Sequence, residues 1–310
     1  MRILFMGTPD FAAVNLAALY EAGENIVGVV TTPDKPKGRG LVLTPCEVKR
    51  YALSVGLPVY QPTTLKDGAF LDTLKELDPE LIIVVAYGKL LPSYVLDYPR
   101  YGCINGHASI LPEYRGAAPI QRAIIDGKTE TGVSIQRMDV GLDTGDVIHV
   151  ERVDIDIDDN FETVHDKLAE ASSRALITAV GLLRDGKATY TVQGDEYTYA
   201  EKIFKEDCFI DFNDTAMGVH NRIRGLSPIP LAFTRTQEGK LLKIVKAHIS
   251  NKDEPADIGE VIYLDSSIHV KCKEGAIALD IVVPEGKGRM NAKDLINGRK
   301  IKLKDILGKN

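Results

Sequence analysis

The chain is predicted to be an α/β protein with a doubly wound, mostly parallel sheet, followed by a small C-terminal β-barrel domain. Strand and helix patterns alternate through residues 1–189, which is typical of a doubly wound sheet. Leu81–Ala86 is apolar on both faces, as are parallel strands that are covered on both sides. After Gly194, short strands separated by Gly, Asp and Ser turns replace this alternation and favour a barrel.

The periodicity of the first part predicts its elements in order. Strands are expected at Arg2–Met6, Asn25–Thr31, Pro58–Tyr60, Leu81–Ala86 and Cys103–His107. Helices are expected at Ala12–Glu21, Glu47–Ser54, Phe70–Leu77 and Phe161–Leu183. Thr32–Pro45 contains three prolines and has no period, so we expect a loop there. Gly132–Arg137 and Asp146–Arg152 are expected to form a hairpin-like pair of strands around the segment MDVGLDTG.

The second part is predicted from its short strands and frequent turns. The strands are expected at Phe209–Phe212, Leu231–Thr236, Leu241–Ser250, Gly259–Leu264, Ile268–Cys272 and Ala276–Val283. We therefore divide the chain into a first domain at residues 1–189, a linker at 190–205 and a second domain at 206–310.

Charge is unevenly distributed along the chain. It has 38 Lys and Arg against 44 Asp and Glu, a net charge of −6. Residues 1–200 hold 19 basic and 28 acidic side chains, whereas residues 201–310 hold 19 basic and 16 acidic ones. The basic C-terminal part either meets a polyanion or is a solvated lysine-rich surface, and charge alone does not decide between the two.

Neither membrane insertion nor secretion is expected. The chain has no apolar run of about twenty residues, the length that a transmembrane helix needs. Its N-terminal segment MRILFMG is interpreted as a first strand and not as a signal peptide. The cysteines are far apart and form no CxxC pair, which favours a reducing cytoplasm; they are Cys46, Cys103, Cys208 and Cys272.

The candidate chemistry lies in two segments, NGHASILPEYRGAAPIQR and MDVGLDTGD. Asn105 and His107 are two residues apart at the end of a predicted strand, so their side chains point to the same side. An amide donor beside an imidazole suits a developing oxyanion and a proton acceptor. Asp143 either forms a turn between its neighbouring glycines or orients the imidazole and stabilises its cation. The three groups predict acyl transfer without a metal or a covalent intermediate.

Other site classes fit the sequence less well. Ser109 is two residues from His107 and lies in no GxSxG motif, which argues against a serine hydrolase. The remaining histidines are scattered and form no HExxH motif, so no metal site is expected. The turn GTPDF after the first strand lacks the GxGxxG pattern of dinucleotide-binding proteins. Arg115 and Arg122 either recognise an anion or form surface ion pairs.

Together these segments resemble the methionyl-tRNA formyltransferases, and the resemblance runs from end to end. The matching motifs are FMGTPDF at Phe5–Phe11, TTPDKPKGRG at Thr31–Gly40, GLPVYQP at Gly56–Pro62, VVAYGKLLP at Val84–Pro92, the two segments above, TYAEKI at Thr198–Ile203 and GKGRMNAKDLINGRK at Gly286–Lys300. The two central segments are those shared by enzymes that use 10-formyltetrahydrofolate as formyl donor. The KGRG loop and the C-terminal domain narrow the match to the tRNA enzymes.

The resemblance implies a Rossmann-like first domain that binds the donor and catalyses, and an OB-like second barrel that binds tRNA. It implies transfer of a formyl group from 10-formyltetrahydrofolate to the α-amine of methionine on initiator methionyl-tRNA, for translation initiation. In this family's pattern, Asn105, His107 and Asp143 match the catalytic residues. A cytoplasmic monomer without a metal or a membrane partner is expected.

The resemblance also implies two sets of binding residues. The donor pocket would use Tyr87, Gly88, Leu90, Ser109, Ile110, Leu111, Pro112, Asp139, Val140, Gly141 and Leu142. The tRNA would meet Lys37, Arg39, Lys202, Lys205, Lys287, Arg289, Arg299 and Lys300.

Two departures from the family pattern stand out. Gly106 occupies a position that often carries a β-branched residue, and SPIP at Ser227–Pro230 lacks the tryptophan often found there. Three other functions stay open from the residues: formyl transfer to a small amine such as glycinamide ribonucleotide or an amino sugar, hydrolysis of the donor, and non-catalytic RNA binding.

Overall fold

The computed structural model describes residues 1–37 and 42–308. It divides into two compact units. The first comprises Met1–Gly116, Glu130–Asp154 and His165–Ala200, and the second comprises Ala117–Thr129, Ile155–Val164 and Glu201–Asn310. Among the described residues, no helix has the length and apolar character needed to cross a membrane.

The elements before residue 201 follow the alternation that the sequence predicts. The strands are β1 Arg2–Gly7, β2 Asn25–Val30, β3 Lys35–Lys37, β4 Val42–Thr44, β5 Val59–Tyr60, β6 Leu81–Val85, β7 Cys103–His107, β8 Arg115–Gly116, β9 Glu130–Arg137, β10 Val147–Asp154 and β11 Tyr199–Ala200. The helices are α1 Asp10–Glu21, α2 Glu47–Ser54, α3 Phe70–Leu77, α4 Ser93–Leu96, α5 Pro119–Ile125 and α6 Phe161–Arg184.

A seven-stranded sheet forms the centre of the first unit. Its spatial order is β10-β9-β7-β6-β1-β2-β5. The five strands from β7 to β5 are parallel, and their order is that of a doubly wound sheet. β9 joins β7 in the antiparallel sense and β10 pairs antiparallel with β9. The α/β architecture with a mostly parallel sheet is therefore confirmed, and the predicted hairpin is present at one sheet edge.

The sheet is buried because its central strands are apolar on both faces. All five residues of β6 are buried, which requires covering layers on both sides of the sheet. One face packs Leu4, Met6, Ile82 and Val84 into a core cluster that also receives Leu74 of α3. β6 itself therefore offers no polar side chain for a site.

The prediction of an unstructured loop at Thr32–Pro45 is wrong in part. β3 pairs antiparallel with β4, although residues 38–41 between them lie outside the described part of the chain. Lys49 of α2 fixes the base of this hairpin, since its Nζ donates to Asp34 Oδ2 at 2.7 Å and to Gln61 Oε1 at 2.7 Å. These partners are distant in sequence, so local periodicity does not reveal the hairpin.

The second unit contains an antiparallel sheet and two further helices. The strands are β12 Ala232–Arg235, β13 Leu241–Ile249, β14 Val261–Leu264, β15 Ile268–Lys271, β16 Ala276–Pro284 and β17 Met290–Asn291. The helices are α7 Ala216–Gly225 and α8 Ala292–Asn297. The sheet order is β12-β13-β16-β15-β14, and β17 pairs with β16.

Two features of this unit differ from the prediction. Phe209–Phe212 is not a strand, because only one bridge joins Phe209 to Phe233. Helix α7 is absent from the prediction, since two glycines and several polar residues weaken its pattern. Thr215 caps it by accepting a hydrogen bond from the Gly218 amide at 3.0 Å. Tertiary packing of its apolar face stabilises the helix.

The predicted linker at 190–205 divides between the units. Residues up to Ala200 belong to the first unit, where β11 pairs in parallel with β8, and Glu201 begins the last segment of the second. Backbone pairing between Thr191 and Val147, at 2.8 and 2.9 Å, ties the same stretch to β10.

We expect acid to destabilise the second unit through His220 of α7. Burial, with the nearby Arg224, lowers the pKa of His220 below its ordinary value of 6.5. The unfolded chain therefore binds more protons just below pH 6.5, and the contribution to stability is lost as the pH falls through this value. Urea unfolding about one pH unit above and one below should show this loss, and His220→Gln should reduce it. An equal pH dependence in both proteins would contradict the expectation.

A matched pair of glycine substitutions tests the packing of the β9–β10 pair. A Cβ on Gly132 of β9 would lie 2.4 Å from the Glu151 carbonyl oxygen of β10. Gly132→Ala should therefore destabilise the protein by about 1–3 kcal/mol, as overpacking does. Gly181 of α6 has open space around it, so Gly181→Ala should stabilise by up to about 1 kcal/mol. Thermal unfolding of both variants measures the two changes in stability. Equal melting temperatures would contradict the expectation.

Candidate active site

Strand β7 positions the first two predicted groups. Asn105 and His107 lie in its last three residues, and the strand alternation places them on one side of the sheet. Antiparallel pairing with β9 sets Asn105 opposite Gln136 and His107 opposite Ser134. The pair therefore lies at the carboxyl ends of the parallel strands, where doubly wound sheets bind ligands.

Asp143 is carried by the loop between β9 and β10. The loop starts at Met138, whose amide donates to the Cys103 carbonyl oxygen at 2.8 Å, and it closes where the Arg137 amide donates to Asp146 O at 2.8 Å. Asp143 has φ 53°, in the left-handed region that non-glycine residues seldom adopt. This conformation needs partners in the surrounding structure to hold it.

The three predicted groups converge. Asp143 Oδ1 lies 3.4 Å from Asn105 Nδ2 and 3.6 Å from His107 Nδ1. His107 is 6 % exposed, and its Nε2 lies 2.9 Å from the Tyr114 carbonyl oxygen. Since a carbonyl oxygen only accepts, Nε2 carries a proton and Nδ1 is the ring atom that faces the carboxylate. An imidazolium formed at Nδ1 would therefore face a negative charge.

Sequence reasoning missed two groups that hold the carboxylate. Gln136 Nε2 donates to Asp143 Oδ1 at 2.9 Å, and the Gly116 amide donates to Oδ2 at 2.9 Å. Gln136 is 2 % exposed, and its Oε1 has no hydrogen-bond partner among the described residues. The sequence pattern that could have identified Gln136 is the alternation in GVSIQR. In this segment Ser134 and Gln136 lie on one face of the strand and the apolar residues lie on the other.

The hydroxyl of Ser109 makes a structural hydrogen bond and is not arranged as a nucleophile. Its buried hydroxyl donates to the Glu113 carbonyl oxygen at 2.6 Å. Its own carbonyl oxygen accepts from Ser134 Oγ at 2.8 Å, and Ser134 Oγ accepts from the Leu111 amide at 2.9 Å. The predicted donor-binding stretch of Ser109, Ile110, Leu111 and Pro112 is thus tied to β9.

The segment after β6 provides other predicted donor-binding residues. Tyr87 is 2 % exposed, and its hydroxyl has no hydrogen-bond partner among the described residues. Burial raises the pKa of Tyr87 to about 12. Gly88 has φ 78°, and Leu90 is 74 % exposed. Tyr87 thus packs into the core cluster with Leu4 and Met6, whereas the side chain of Leu90 is accessible to a ligand.

The last predicted donor-binding residues lie in the Asp143 loop. Asp139 Oδ1 accepts from the Gly141 amide at 2.9 Å and from Thr144 Oγ1 at 2.6 Å, so this carboxylate shapes the loop. Val140 is 82 % and Leu142 is 52 % exposed. Such exposure is unusual for large apolar residues in one short loop, and it suits contact with an apolar ring system.

The two arginines have different surroundings. Arg115 is 5 % exposed, and its guanidinium lies 4.5 Å from the centre of the Tyr197 ring, so it is not a surface residue. Arg122 belongs to the second unit and pairs with Asp207 at 3.2 Å, as an ordinary partly exposed ion pair.

The predicted tRNA-binding residues are placed only in part. Arg39 lies outside the described residues, and only the backbone of Lys37 is described, in β3. The other six are exposed in the second unit: Lys202, Lys205, Lys287, Arg289, Arg299 and Lys300. Within residues 1–37 and 42–308 no group of three or more His, Cys, Asp or Glu side chains is arranged to hold a metal ion. All four cysteines are free thiols.

Comparison with known proteins identifies the family. The Formyl transferase model matches residues 1–180, and the model of the Formyl transferase C-terminal domain matches residues 202–300. Methionyl-tRNA formyltransferase of Caldicellulosiruptor saccharolyticus is 46 % identical over 314 residues, which cover 99 % of this chain and 100 % of the relative. That of Thermodesulfovibrio yellowstonii is 44 % identical over 299 residues, 96 % of each chain. The chain belongs to the methionyl-tRNA formyltransferase family.

Solved structures show the same fold at lower identity. WlaRD, a sugar 3N-formyl transferase solved with dTDP and 5-N-formyl-THF, has a TM-score of 0.67 at 17 % identity, covering 93 % of this chain and 99 % of its own. HypX from Aquifex aeolicus in complex with tetrahydrofolic acid has a TM-score of 0.63 at 17 % identity and covers 96 % of this chain. This chain spans 47 % of the HypX chain. This chain thus shares its fold with WlaRD and with part of HypX.

Proposed function

We infer that this protein transfers the formyl group of 10-formyltetrahydrofolate to the α-amino group of methionine on initiator methionyl-tRNA. One observation carries the proposal: Asn105, His107 and Asp143 converge within 3.6 Å at the end of β7, in a chain of this family. The product is the formylated initiator used in translation initiation. The donor is a cosubstrate drawn from one-carbon metabolism.

The arrangement of donors suits a tetrahedral intermediate. When the acceptor amine attacks the formyl carbon, negative charge develops on the formyl oxygen. Asn105 Nδ2 donates to this oxygen during the attack, and His107 can donate once its Nδ1 has taken up the amine proton; such preorganised donors stabilise an oxyanion strongly. The amine loses its proton to His107 Nδ1 or to an ordered water. The intermediate then collapses as the bond between the formyl carbon and N10 of the donor breaks, N10 takes up that proton, and tetrahydrofolate leaves. Asp143 holds the imidazole in place and stabilises its cation.

The donor pocket is proposed from residues around the same sheet edge. Tyr87, Gly88 and Leu90 would form one wall, and the exposed loop residues Asp139–Leu142 would form another. Ser109–Pro112 would line the side nearest to His107. The exposed side chains of Leu90 and Val140 support contact with an apolar part of the donor.

The second unit is proposed to hold the tRNA. Its antiparallel sheet with α7 and α8 supports the predicted OB-like barrel at residues 206–310, joined through 190–205 to a Rossmann-like catalytic domain at 1–189. Its exposed basic residues suit phosphate contacts. We place the protein in the cytoplasm, where its acceptor is made, as a monomer.

The rival activities differ in their acceptor. The structural likeness to sugar formyltransferases makes a small amine the nearest alternative, and hydrolysis of the donor would use the same three residues. Labelled formyl from the donor should appear on methionyl-tRNA, and not on glycinamide ribonucleotide, amino sugars or free formate. Transfer to a small amine at a rate equal to that with methionyl-tRNA would overturn the proposal.

Removing either oxyanion donor should abolish most of the activity without unfolding the protein. We expect Asn105→Ala and His107→Ala each to lower kcat roughly 100- to 1000-fold, the usual cost of removing one oxyanion donor. His149→Ala in β10 is the control, because this half-buried histidine lies outside the site. Single-turnover formyl transfer measures the effect. Near-normal turnover of His107→Ala with saturating substrates would show that the assignment is wrong.

Removing basic side chains of the β16–β17 turn should weaken tRNA binding in a salt-dependent way. Lys287→Ala with Arg289→Ala is expected to reduce the slope of log affinity against log salt by about one for each phosphate that these side chains neutralise. The control is Lys75→Ala, an exposed lysine of α3 in the first unit. Filter binding of initiator tRNA over a range of salt concentrations gives the slopes. Equal slopes for the wild type and the double variant would exclude these two residues.

A further inference from the structure

A stretch predicted as linker holds the catalytic loop. Within residues 191–199, all of which are described, Gln193 is partly buried and the other residues are exposed. Backbone pairing fixes both ends of the stretch, since Thr191 pairs with Val147 and Thr198 O accepts from the Arg115 amide at 2.9 Å. The Gln193 side chain is therefore held at a defined place in the first unit.

All of the hydrogen-bonding capacity at the end of Gln193 is directed to two segments of the active site. Its Nε2 donates to the carbonyl oxygens of Asp143 at 2.9 Å and of Gly145 at 2.6 Å. Its Oε1 accepts from Arg115 Nε at 3.0 Å and from a terminal nitrogen of the same guanidinium at 2.8 Å. We call this set of four contacts the Gln193 bridge.

Arg115 anchors the other end of the bridge. It is 5 % exposed and its guanidinium lies over the Tyr197 ring at 4.5 Å, so the Gln193 acceptor meets a fixed partner. The residue after Arg115 is Gly116, whose amide binds the Asp143 carboxylate at 2.9 Å. Gln193 thus links the backbone of the Asp143 loop to the strand that holds the Asp143 side chain.

The bridge acts on a residue that needs support. Asp143 has a left-handed backbone at φ 53°, which costs free energy in a residue with a side chain and persists only where neighbours determine it. Without the bridge, the side-chain contacts to Gln136 and Gly116 would remain, but the backbone that aims them would be free to relax.

We propose that Gln193 is a positioning residue of formyl transfer, which acts by fixing the Asp143 loop so that the carboxylate faces Asn105 and His107. This rests on the proposed function. Gln193 contacts the reacting groups only through Asp143, so its removal should slow the chemical step. Because the same loop carries Asp139–Leu142, the KM for the donor should rise as well, whereas binding of the acceptor should stay intact.

The test compares two substitutions of Gln193 with a neighbouring control in the full-length protein. Gln193→Ala removes both halves of the bridge, while Gln193→Glu keeps an acceptor for Arg115 and removes the donors to the loop. Both should lower kcat roughly tenfold to a hundredfold, as small displacements of catalytic groups do. The KM for the acceptor should stay within about twofold of the wild type, since the residues proposed to bind the acceptor lie outside this loop. Val192→Ala, at a side chain 76 % exposed, should behave as the wild type.

A double-mutant cycle separates positioning from a general structural role. If Gln193 acts through Asp143, adding Gln193→Ala to Asp143→Ala should cause no further loss of kcat. Circular dichroism and thermal unfolding establish whether each variant is folded. If Gln193→Ala does not fold, the kcat and KM of Gln193→Glu test the inference. A folded Gln193 variant with normal kcat, a change confined to KM, or a full additional loss in the Asp143→Ala background would each overturn the inference. A wild-type protein that transfers no formyl to methionyl-tRNA would instead refute the proposed function.

Discussion

The antiparallel pairing of β9 with β7 brings the residues of the candidate active site together. β7 ends at His107, and β9 runs back beside it so that Gln136 lies opposite Asn105. The chain leaves β9 next to the start of β7, where the Met138 amide is bound to Cys103 O at 2.8 Å. The following loop must therefore turn back along the sheet edge, which carries Asp143 to the end of β7.

The carboxylate of Asp143 then requires hydrogen-bond donors among its neighbours. A partly buried carboxylate is costly unless its oxygens are paired, and here the backbone amide of Gly116 and the amide of Gln136 supply two hydrogen bonds at 2.9 Å. With the carboxylate fixed by neutral donors, the remaining direction of Oδ1 is toward Asn105 and His107. The Tyr114 carbonyl oxygen sets the orientation of the ring from its far side. Each side chain proposed to react is thus held by groups that take no part in the proposed chemistry.

The sequence predicted what depends on local pattern and residue type. The bounds of α2, α3 and β7 agree with the structure, because apolar spacing and the residues at the ends define such elements. Asn105 and His107 follow from strand alternation alone. The contact of Asp143 with His107 spans 36 residues and depends on the β7–β9 pairing, which no local pattern specifies. Helix α7 and the β3–β4 hairpin were missed for the same reason, since distant side chains stabilise both.

Gln193 shows why a side chain in a supposed linker can be specific in type. The bridge needs an acceptor for Arg115 and donors for two carbonyl oxygens on one planar group, and a carboxamide has both. A carboxylate would accept from the guanidinium but would repel the carbonyl oxygens. A lysine would donate to the carbonyl oxygens but would repel the guanidinium. A charged group at this place would also add its field to that of Asp143, which is proposed to stabilise an imidazolium. The neutral amide fixes the loop without changing the electrostatics on which the transfer depends.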